Sequence, residues 1–312
     1  MTRPIQILPA SEYPNLLTKI NENATINQVS PQRVIPVDAS WYLPTIPRNG
    51  LSEFLKSRIP NSVFFDVGGV KDAQSPYPHM LPSVKEFNVA MSKLGIKESD
   101  VIVVYDRMGN FSAPRVAWTF LTLGHQEVYL LDNFLEYVKL GLPIDDSELS
   151  LEDVLKDVGS DYRNNLELLD SKSVLSFDRF YEIVKNENQR EKYNILDARS
   201  KGRYLGKDPE PRPGLSSGHA PGVKSLSFDN VLNSKTKRFY DPTKMKHLMV
   251  DEHAMDLNKP TIVMCGTGVS ACILKTALDI AGFDLKGIQV YDGSWTEYAQ
   301  RAEDSMIIKE VC

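Results

Sequence analysis

The ten residues TIVMCGTGVS, numbered 261–270, combine a short apolar run, a cysteine and a glycine-rich loop. A four-residue apolar run bounded by polar or glycine residues is typical of a central parallel strand that is buried on both faces. Residues 271–281 continue with the length and periodicity of a helix. The stretch therefore predicts a strand, a loop and a helix of an α/β sheet. Cys265 would lie at the carboxyl end of the strand, where such sheets bind ligands.

The same pattern occurs earlier in the chain at a constant spacing. Asp38 of Val-Asp-Ala and Asp197 of Leu-Asp-Ala are 159 residues apart, and Asp106 precedes Cys265 by the same interval. Asp106 follows the apolar run 101–105, which corresponds to the run before Cys265. Landmarks that keep one separation in both halves indicate one fold used twice. Since Asp106 offers no thiol at this place, we expect the first half to be a non-catalytic scaffold.

Each half alternates short apolar runs with helical stretches, which predicts a parallel sheet flanked by helices on both faces. The predicted first domain spans residues 1–141 and the predicted second domain spans residues 173–312. Residues 142–172 between them are rich in Asp, Glu, Ser and Asn and are predicted to be a linker with a short helix at 151–158. The predicted strands of the first half are 34–37, 101–105 and 128–131, and the crossover helices of the two halves are predicted at 114–123 and 271–281.

Composition limits the classes of function. The chain has 312 residues, 42% of them hydrophobic, which suffices for two cores. A net charge of −5 argues against nucleic acid or an anionic membrane as the main partner. No apolar run is long enough to cross a bilayer, and the N-terminal residues lack a secretory or strong transit pattern. Three cysteines indicate a reducing compartment, so we expect a cytoplasmic protein, with a mitochondrial location left open.

The loop itself predicts a reactive cysteine. Gly266 and Gly268 allow successive backbone N–H groups to converge on one point, and the helix N-terminus adds positive potential there. Thiolates are the nucleophilic form of cysteine and are favoured in such surroundings. Cys265 is therefore the candidate nucleophile, with Gly266, Gly268, Val269 and Ser270 as candidate anion-binding residues. The alternative is a buried cysteine that only packs.

Other uses of such a loop fit poorly. A cysteine phosphatase needs an arginine at the far end of the loop, where Ala271 stands. The loop lacks the Gly-Lys-Ser/Thr of a nucleotide-binding P-loop, and no Cys/His cluster has the spacing of a zinc site. We therefore expect neither a metal nor an organic cofactor. Cys272 lies within the predicted helix and is expected in the core, whereas Cys312 is expected to be exposed and incidental.

At these residues the sequence resembles the tandem-rhodanese family, in particular its 3-mercaptopyruvate sulfurtransferase type. Residues 265–270 resemble the active loop of that type, whereas thiosulfate-specific members place two basic residues at the positions of Gly266 and Thr267. Residues 218–222 and 291–298 are similar to the two rhodanese signatures. The first half adds residues 38–44, 75–80 and 112–115 to the resemblance. The fungal type that also feeds sulfur to tRNA wobble-uridine thiolation is the nearest match.

The resemblance implies two rhodanese-like domains and the transfer of sulfur from 3-mercaptopyruvate, through a Cys265 persulfide, to a thiol acceptor. Thioredoxin, a small thiol or a ubiquitin-like-activating sulfur carrier would be the acceptor, without direct contact to nucleic acid or membrane. One alternative is a thiosulfate:cyanide sulfurtransferase. Another alternative is a sulfur-relay or scaffold protein with little turnover.

The resemblance also implies substrate-binding and relay residues. Arg203 and Arg212 occupy the positions of two arginines that bind the substrate carboxylate, a task suited to paired guanidinium donors. Their alternative role is ion pairing with Glu210 and nearby acids, and Arg199 is expected to be structural.

Some family members are thought to use a serine–histidine–aspartate relay. Thr267 holds the serine place and His79 the histidine place, but the aspartate place falls on Gly68. Asp66 or Asp72 could substitute for the missing acid. Hydrogen bonding or proton transfer are both open for His79, because geometry must be known before a base is assigned.

Overall fold

A computed structural model describes residues 4–28, 30–283 and 287–310. Cys312 lies outside these residues, so its expected exposure stays a prediction. The first sheet contains β1 (Gln6–Pro9), β2 (Val34–Asp38), β3 (Val63–Phe64), β4 (Val101–Tyr105) and β5 (Val128–Asp132). The second contains β6 (Val174–Leu175), β7 (Asn194–Asp197), β8 (Lys224–Ser225), β9 (Thr261–Met264) and β10 (Ile288–Tyr291).

Both sheets are fully parallel and have the same topology. The order β1-β5-β4-β2-β3 of the first is repeated as β6-β10-β9-β7-β8 in the second. The prediction of one α/β fold used twice is therefore confirmed.

Helices connect the strands. In chain order they are α1 (Tyr13–Asn27), α2 (Gly50–Phe54), α3 (Val84–Lys93), α4 (Ala113–Thr122), α5 (Phe134–Lys139), α6 (Leu151–Leu155), α7 (Phe177–Lys185), α8 (Glu187–Arg190), α9 (Lys201–Leu205), α10 (Pro242–His247), α11 (Ala271–Ile280) and α12 (Ser294–Arg301). Helices α4 and α11 match the predicted crossover helices to within one residue at each end. Among the described helices, none combines the length and apolar character needed to span a bilayer.

Each sheet buries both faces, as the continuous apolar runs predict. In β4, Ile102 and Val104 join a core shared by the two halves, which also contains residues of α4 and α11. Val103 and Tyr105 point to the opposite face and pack with residues of α1 and α5. The alternation follows from the two-residue period of a strand. Helices therefore cover both faces of the sheet, and α4 and α11 lie where the halves meet.

The connection at 142–172 packs against the first domain. Asp145 forms an ion pair with Arg58 at 2.6 Å, and the ring of Tyr162 stacks on His125 in the core. Helix α6 ends at Leu155, earlier than the predicted residue 158, because Lys156 adopts an extended backbone conformation. Val158 instead donates its N–H to the carbonyl of Lys93. We propose residues 142–172 as the domain connection, since all strands lie outside them.

The two halves cover each other's strand-end loops in the same way. Leu81 of the first half donates its N–H to Asp292, which follows β10. Phe239 of the second half donates its N–H to Asp132, which ends β5. Reciprocal coverage brings a segment of the first half, around residue 79, onto the loop that contains Cys265.

Asp106, the counterpart of Cys265, fills its own loop. Its carboxylate accepts N–H groups of Met108, Phe111, Ser112 and Ala113 at 2.7–3.0 Å. The ring of N–H groups expected from the repeat therefore exists in the first half and is occupied by a side chain of the chain itself.

We expect Asp106→Ala to lower the free energy of unfolding by about 2 to 4 kcal/mol, because several buried N–H groups lose their acceptor. Urea unfolding followed by circular dichroism measures the change. Asp146→Ala, at an exposed aspartate, is the matched control and should shift the value by less than about 0.5 kcal/mol. Equal effects of the two substitutions would contradict this role of Asp106.

Candidate active site

Strand β9 and the start of α12 hold Cys265 in place. The N–H of Cys265 donates to Ser294 Oγ at 3.1 Å, and its carbonyl accepts the N–H of Trp295 at 2.9 Å. Gly266 is fixed in the same way, because its carbonyl accepts the N–H of Thr296 at 2.9 Å. Ser294 has a φ of 50°, a sparsely populated conformation of the kind found at functional sites. Residues 294–296 of the segment 291–298 therefore fix the backbone of Cys265 and Gly266 by hydrogen bonds.

The loop after Cys265 has backbone N–H groups without an acceptor among the described residues, and by analogy with the Asp106 loop we call those of residues 266–270 the open ring. In the part of the chain that the structure describes, no protein acceptor takes the N–H groups of residues 266–270. Gly268 adopts a φ of 79°, a backbone conformation that residues with a side chain disfavour. In the corresponding loop of the first half, Asp106 accepts the N–H groups of Met108, Phe111, Ser112 and Ala113. An anion next to Cys265 would satisfy the open ring in the same way.

A small cavity of about 50 Å³ adjoins Cys265. Its wall is built from the predicted loop, three arginines and apolar side chains of both halves. The loop residues in the wall are Cys265, Gly266, Thr267, Val269 and Ser270, and the arginines are Arg199, Arg203 and Arg212. Gly268 and His79, predicted as site residues, are absent from the wall and lie behind it. The size of the cavity limits the ligand to a small molecule.

Two of the three arginines are held by acids. Arg199 is fully buried and pairs with Asp197 and Glu210 at 2.6 and 2.7 Å, as expected of a structural residue. Arg203 also pairs with Glu210, at 2.5 Å, so the predicted alternative of an ion pair occurs in the structure. Its Nη2 nevertheless lies 3.0 Å from where a Cβ on Gly266 would stand. Arg203 therefore both contacts an acid and reaches the loop.

Arg212 differs from the other two. The guanidinium of Arg212 is half-buried and forms no ion pair with any described residue. Burial lowers the pKa of Arg212 from its ordinary value, an effect opposed by the nearby Cys265 sulfur. Arginine keeps its charge under such conditions. The site therefore contains one cation that a substrate anion could neutralise.

His79 and Thr267 meet as the resemblance predicted. His79 Nδ1 lies 3.0 Å from Thr267 Oγ1, although the two residues come from different halves. Burial, followed by the charges of Arg115 and Arg212, lowers the pKa of His79 to about 3. The imidazole is therefore neutral near neutral pH and can accept the hydrogen bond of the threonine hydroxyl.

No acid completes the relay within the described residues. Asp66 accepts the N–H of Gly68, and Asp72 accepts the N–H of Gln74. Besides its hydrogen bond with Thr267, the His79 ring packs edge to face against the Trp41 ring, with 4.7 Å between the ring centroids. Neither predicted substitute aspartate contacts the histidine, so that part of the relay hypothesis finds no support in the geometry.

Sequence reasoning gave no role to Arg115 of α4, which joins the two halves at the site. Arg115 is buried, pairs with Asp292 at 2.7 Å and donates to the carbonyl of His79 at 2.6 Å. It also reaches the carbonyl of Gly268 at 3.5 Å. The first half further contributes Trp41 and Phe111 to the cavity wall. The sequence signals for these residues were their place after strands β2 and β4 and, for Trp41 and Arg115, their position in segments that carry the family resemblance.

Cys272 is buried in α11, as predicted. Its sulfur lies 3.5 Å from the carbonyl oxygen of Gly268. Burial raises the pKa of Cys272 to about 12, so the thiol stays protonated. Cys272 is therefore unsuited to nucleophilic attack, which leaves Cys265 as the candidate in the site.

Comparison with known proteins gives consistent matches. The profile of a family described as "Rhodanese-like domain" matches residues 50–139 and 180–301. The thiosulfate sulfurtransferase TUM1 of Saccharomyces cerevisiae is 41% identical over 277 residues, covering 86% of this chain and 90% of that protein. The 3-mercaptopyruvate sulfurtransferase of Homo sapiens is 34% identical over 277 residues, covering 88% of each chain.

Solved structures agree with these matches. The crystal structure of Tum1 from Saccharomyces cerevisiae has a TM-score of 0.87 at 37% identity and covers 98% of both chains. A sulfur transferase subunit of yeast mitochondrial complex I has a TM-score of 0.81 at 35% identity, covering 98% of this chain and 100% of that one. These structures share the architecture over nearly the whole length of the chain.

The surroundings of His79 predict that its imidazole stays neutral around neutral pH. Because its pKa lies near 3, the ring resonances of His79 should not move between about pH 5 and 8 in an NMR titration. His247 is the internal control, since it is exposed and its hydrogen bond to the Asp251 carboxylate raises its pKa above the ordinary value. A His79 signal that titrates together with His247 would contradict the assignment of a neutral imidazole.

The same shift has a consequence for stability. Above about pH 6.5 the imidazole of His79 is neutral in both the folded and the unfolded chain. As the pH falls from about 6.5 to 3, the unfolded chain binds a proton at His79 that the folded chain does not bind, so the free energy of unfolding decreases.

Proposed function

Because the chain belongs to the rhodanese-like family and is a sulfurtransferase, we propose that it moves sulfur from 3-mercaptopyruvate through a persulfide on Cys265 to a thiol acceptor. The observation that carries this proposal is the open ring of N–H groups at residues 266–270, beside a cysteine and an unpaired Arg212. A site with these groups suits a small anion that delivers an atom to sulfur.

In the first step the donor's carboxylate and carbonyl bind Arg212 and Arg203, which orients its thiol toward Cys265. The Cys265 thiolate attacks the donor sulfur, the bond between that sulfur and its carbon breaks, and the electron pair leaves with pyruvate as its enolate. The enolate then takes a proton to give pyruvate. The open N–H groups would stabilise the negative charge and afterwards hold the persulfide.

Thr267 and His79 would position the donor. A histidine with a pKa near 3 is a weak base at neutral pH, so hydrogen bonding is favoured over proton transfer. When the threonine hydroxyl donates to the imidazole, its oxygen lone pairs remain able to accept a hydrogen bond from the donor's S–H group. The role of His79 is then to fix the hydroxyl.

Two neighbouring features favour 3-mercaptopyruvate over thiosulfate. Gly266 and Thr267 are neutral, whereas a dianion would favour the basic pair of thiosulfate-specific enzymes. The space above Gly266 is already occupied by Arg203. Thiosulfate remains the second candidate donor, because one of the relatives is named a thiosulfate sulfurtransferase.

For the acceptor we propose a protein thiol, such as thioredoxin or a ubiquitin-like-activating sulfur carrier that supplies tRNA thiolation. We propose a cytoplasmic protein with a mitochondrial pool, since one solved relative is a mitochondrial complex I subunit. We propose that the protein does not contact nucleic acid directly.

Donor kinetics test the function. Turnover of 3-mercaptopyruvate with dithiothreitol is compared with turnover of thiosulfate with cyanide, for the wild type and for Cys265→Ser. We expect 3-mercaptopyruvate to be the better donor, and we expect the substitution to abolish both reactions because the nucleophile is lost. The matched control is Cys272→Ser, which should retain most of the activity. Faster turnover of thiosulfate would assign the chain to the second candidate function.

The unpaired guanidinium predicts a substrate effect. Arg212→Gln should lower kcat/KM for 3-mercaptopyruvate by about ten- to a hundredfold, mainly through KM, because a charge-assisted contact is lost. Arg212→Lys should restore part of the loss. Arg179→Gln, at an exposed arginine of α7, serves as the control. An unchanged kcat/KM in Arg212→Gln would contradict the role of Arg212 in carboxylate binding.

A further inference from the structure

A second cavity adjoins the site on the far side of Arg212. It measures about 410 Å³, and its residues come from both halves. The lining includes Lys71, Pro76 and Pro78 of the first half, and Arg212, Leu215 and Gln300 of the second. Arg212 is therefore shared with the cavity at Cys265. We call this second cavity the entrance groove.

The floor of the entrance groove touches the catalytic loop. Thr296 lines the groove, and its N–H donates to the carbonyl of Gly266 at 2.9 Å. The site cavity of about 50 Å³ holds a small donor, but it has no room for an acceptor carried by a protein. An acceptor of that kind must present its thiol from a neighbouring surface. The groove shares Arg212 with the site cavity, and its Thr296 binds Gly266 of the loop.

The charges of the entrance groove have one sign. Lys71 and Arg212 line it, and neither forms an ion pair with a described residue. No aspartate or glutamate is among the described residues of the lining. The chain as a whole carries a net charge of −5, so this local excess of positive charge stands out. A surface of this kind attracts an acidic partner and speeds its association.

The walls of the entrance groove favour an extended segment. Pro76, Pro78 and Pro213 restrict the backbone on its two sides, so the groove is held open without a partner. A preformed surface reduces the ordering cost of binding. Prolines and Leu215 offer apolar contact between the two cations.

We propose that the entrance groove binds an extended acidic segment of a protein acceptor, which carries the thiol that takes sulfur from Cys265. This inference rests on the proposed persulfide. In the transfer, the acceptor thiolate attacks the outer sulfur, a new S–S bond forms on the acceptor, and the bond to Cys265 Sγ breaks. The electron pair returns to Cys265 as thiolate, and the acceptor leaves as a persulfide.

Binding tests the groove independently of catalysis. Two fluorescein-labelled peptides of equal length carry a central serine in place of the thiol, flanked by aspartate and glutamate in one and by lysine in the other. Fluorescence anisotropy measures their Kd on the wild type, on Lys71→Glu and on Lys19→Glu, a charge reversal at an exposed lysine of α1. We expect the acidic peptide to bind the wild type at least about tenfold more tightly, and about 0.5 M salt to weaken it.

The two variants test whether the preference for the acidic peptide depends on Lys71 of the entrance groove. Lys71→Glu should abolish the preference for the acidic peptide, and Lys19→Glu should retain it. Equal binding of the two peptides to the wild type, or equal behaviour of the two variants, would overturn the proposal.

Single-turnover transfer then connects the groove to the reaction. Each enzyme is loaded with 3-mercaptopyruvate and mixed with the acidic peptide bearing cysteine, or with dithiothreitol. Lys71→Glu should slow transfer to the peptide about tenfold and leave transfer to dithiothreitol unchanged. Slower transfer to both thiols would overturn the proposal, because Lys71 would then act on the site itself. A wild type that loads no sulfur would refute the proposed function, while the binding result still decides the groove.

Discussion

A ring of backbone N–H groups at the end of a parallel strand needs a negative charge, and the two halves meet this need differently. In the first half Asp106 supplies a carboxylate that accepts four of these groups. In the second half Cys265 stands at the same place, and the N–H groups of 266–270 have no acceptor in the described chain. One fold thus gives a closed loop and an open one. We propose that the open loop takes the donor and then the persulfide.

The site depends on contacts between the halves. Arg115 reaches from α4 to Asp292 and to the carbonyls of His79 and Gly268, so one buried guanidinium sets the distance between the His79 segment and the loop. The buried charge of Arg115 is tolerated because it is paired with Asp292 and hydrogen-bonded to the carbonyl of His79. The first half carries no cysteine, yet Trp41 contacts the His79 ring and lines the cavity. The first half therefore takes part in shaping the cavity at Cys265.

Local sequence was sufficient to predict the fold and to identify Cys265 as the candidate nucleophile. Apolar runs and the spacing of Asp106 and Cys265 predicted the repeated sheet, because strand burial and loop position follow from residues close together in the chain. Contacts made by distant residues were harder to predict. That Glu210 pairs with Arg203 and leaves Arg212 free depends on how residues 199–212 fold back. Nor could sequence foresee Arg115, whose partners lie up to 177 residues away.

The central claim is that sulfur passes through Cys265. After brief exposure of the protein to 3-mercaptopyruvate and alkylation, mass spectrometry of the peptide that contains both Cys265 and Cys272 locates any added sulfur by fragmentation. The account predicts one extra sulfur atom on Cys265 and none on Cys272, since only Cys265 adjoins the open N–H groups. Sulfur on Cys272, or no added sulfur on either cysteine, would contradict it.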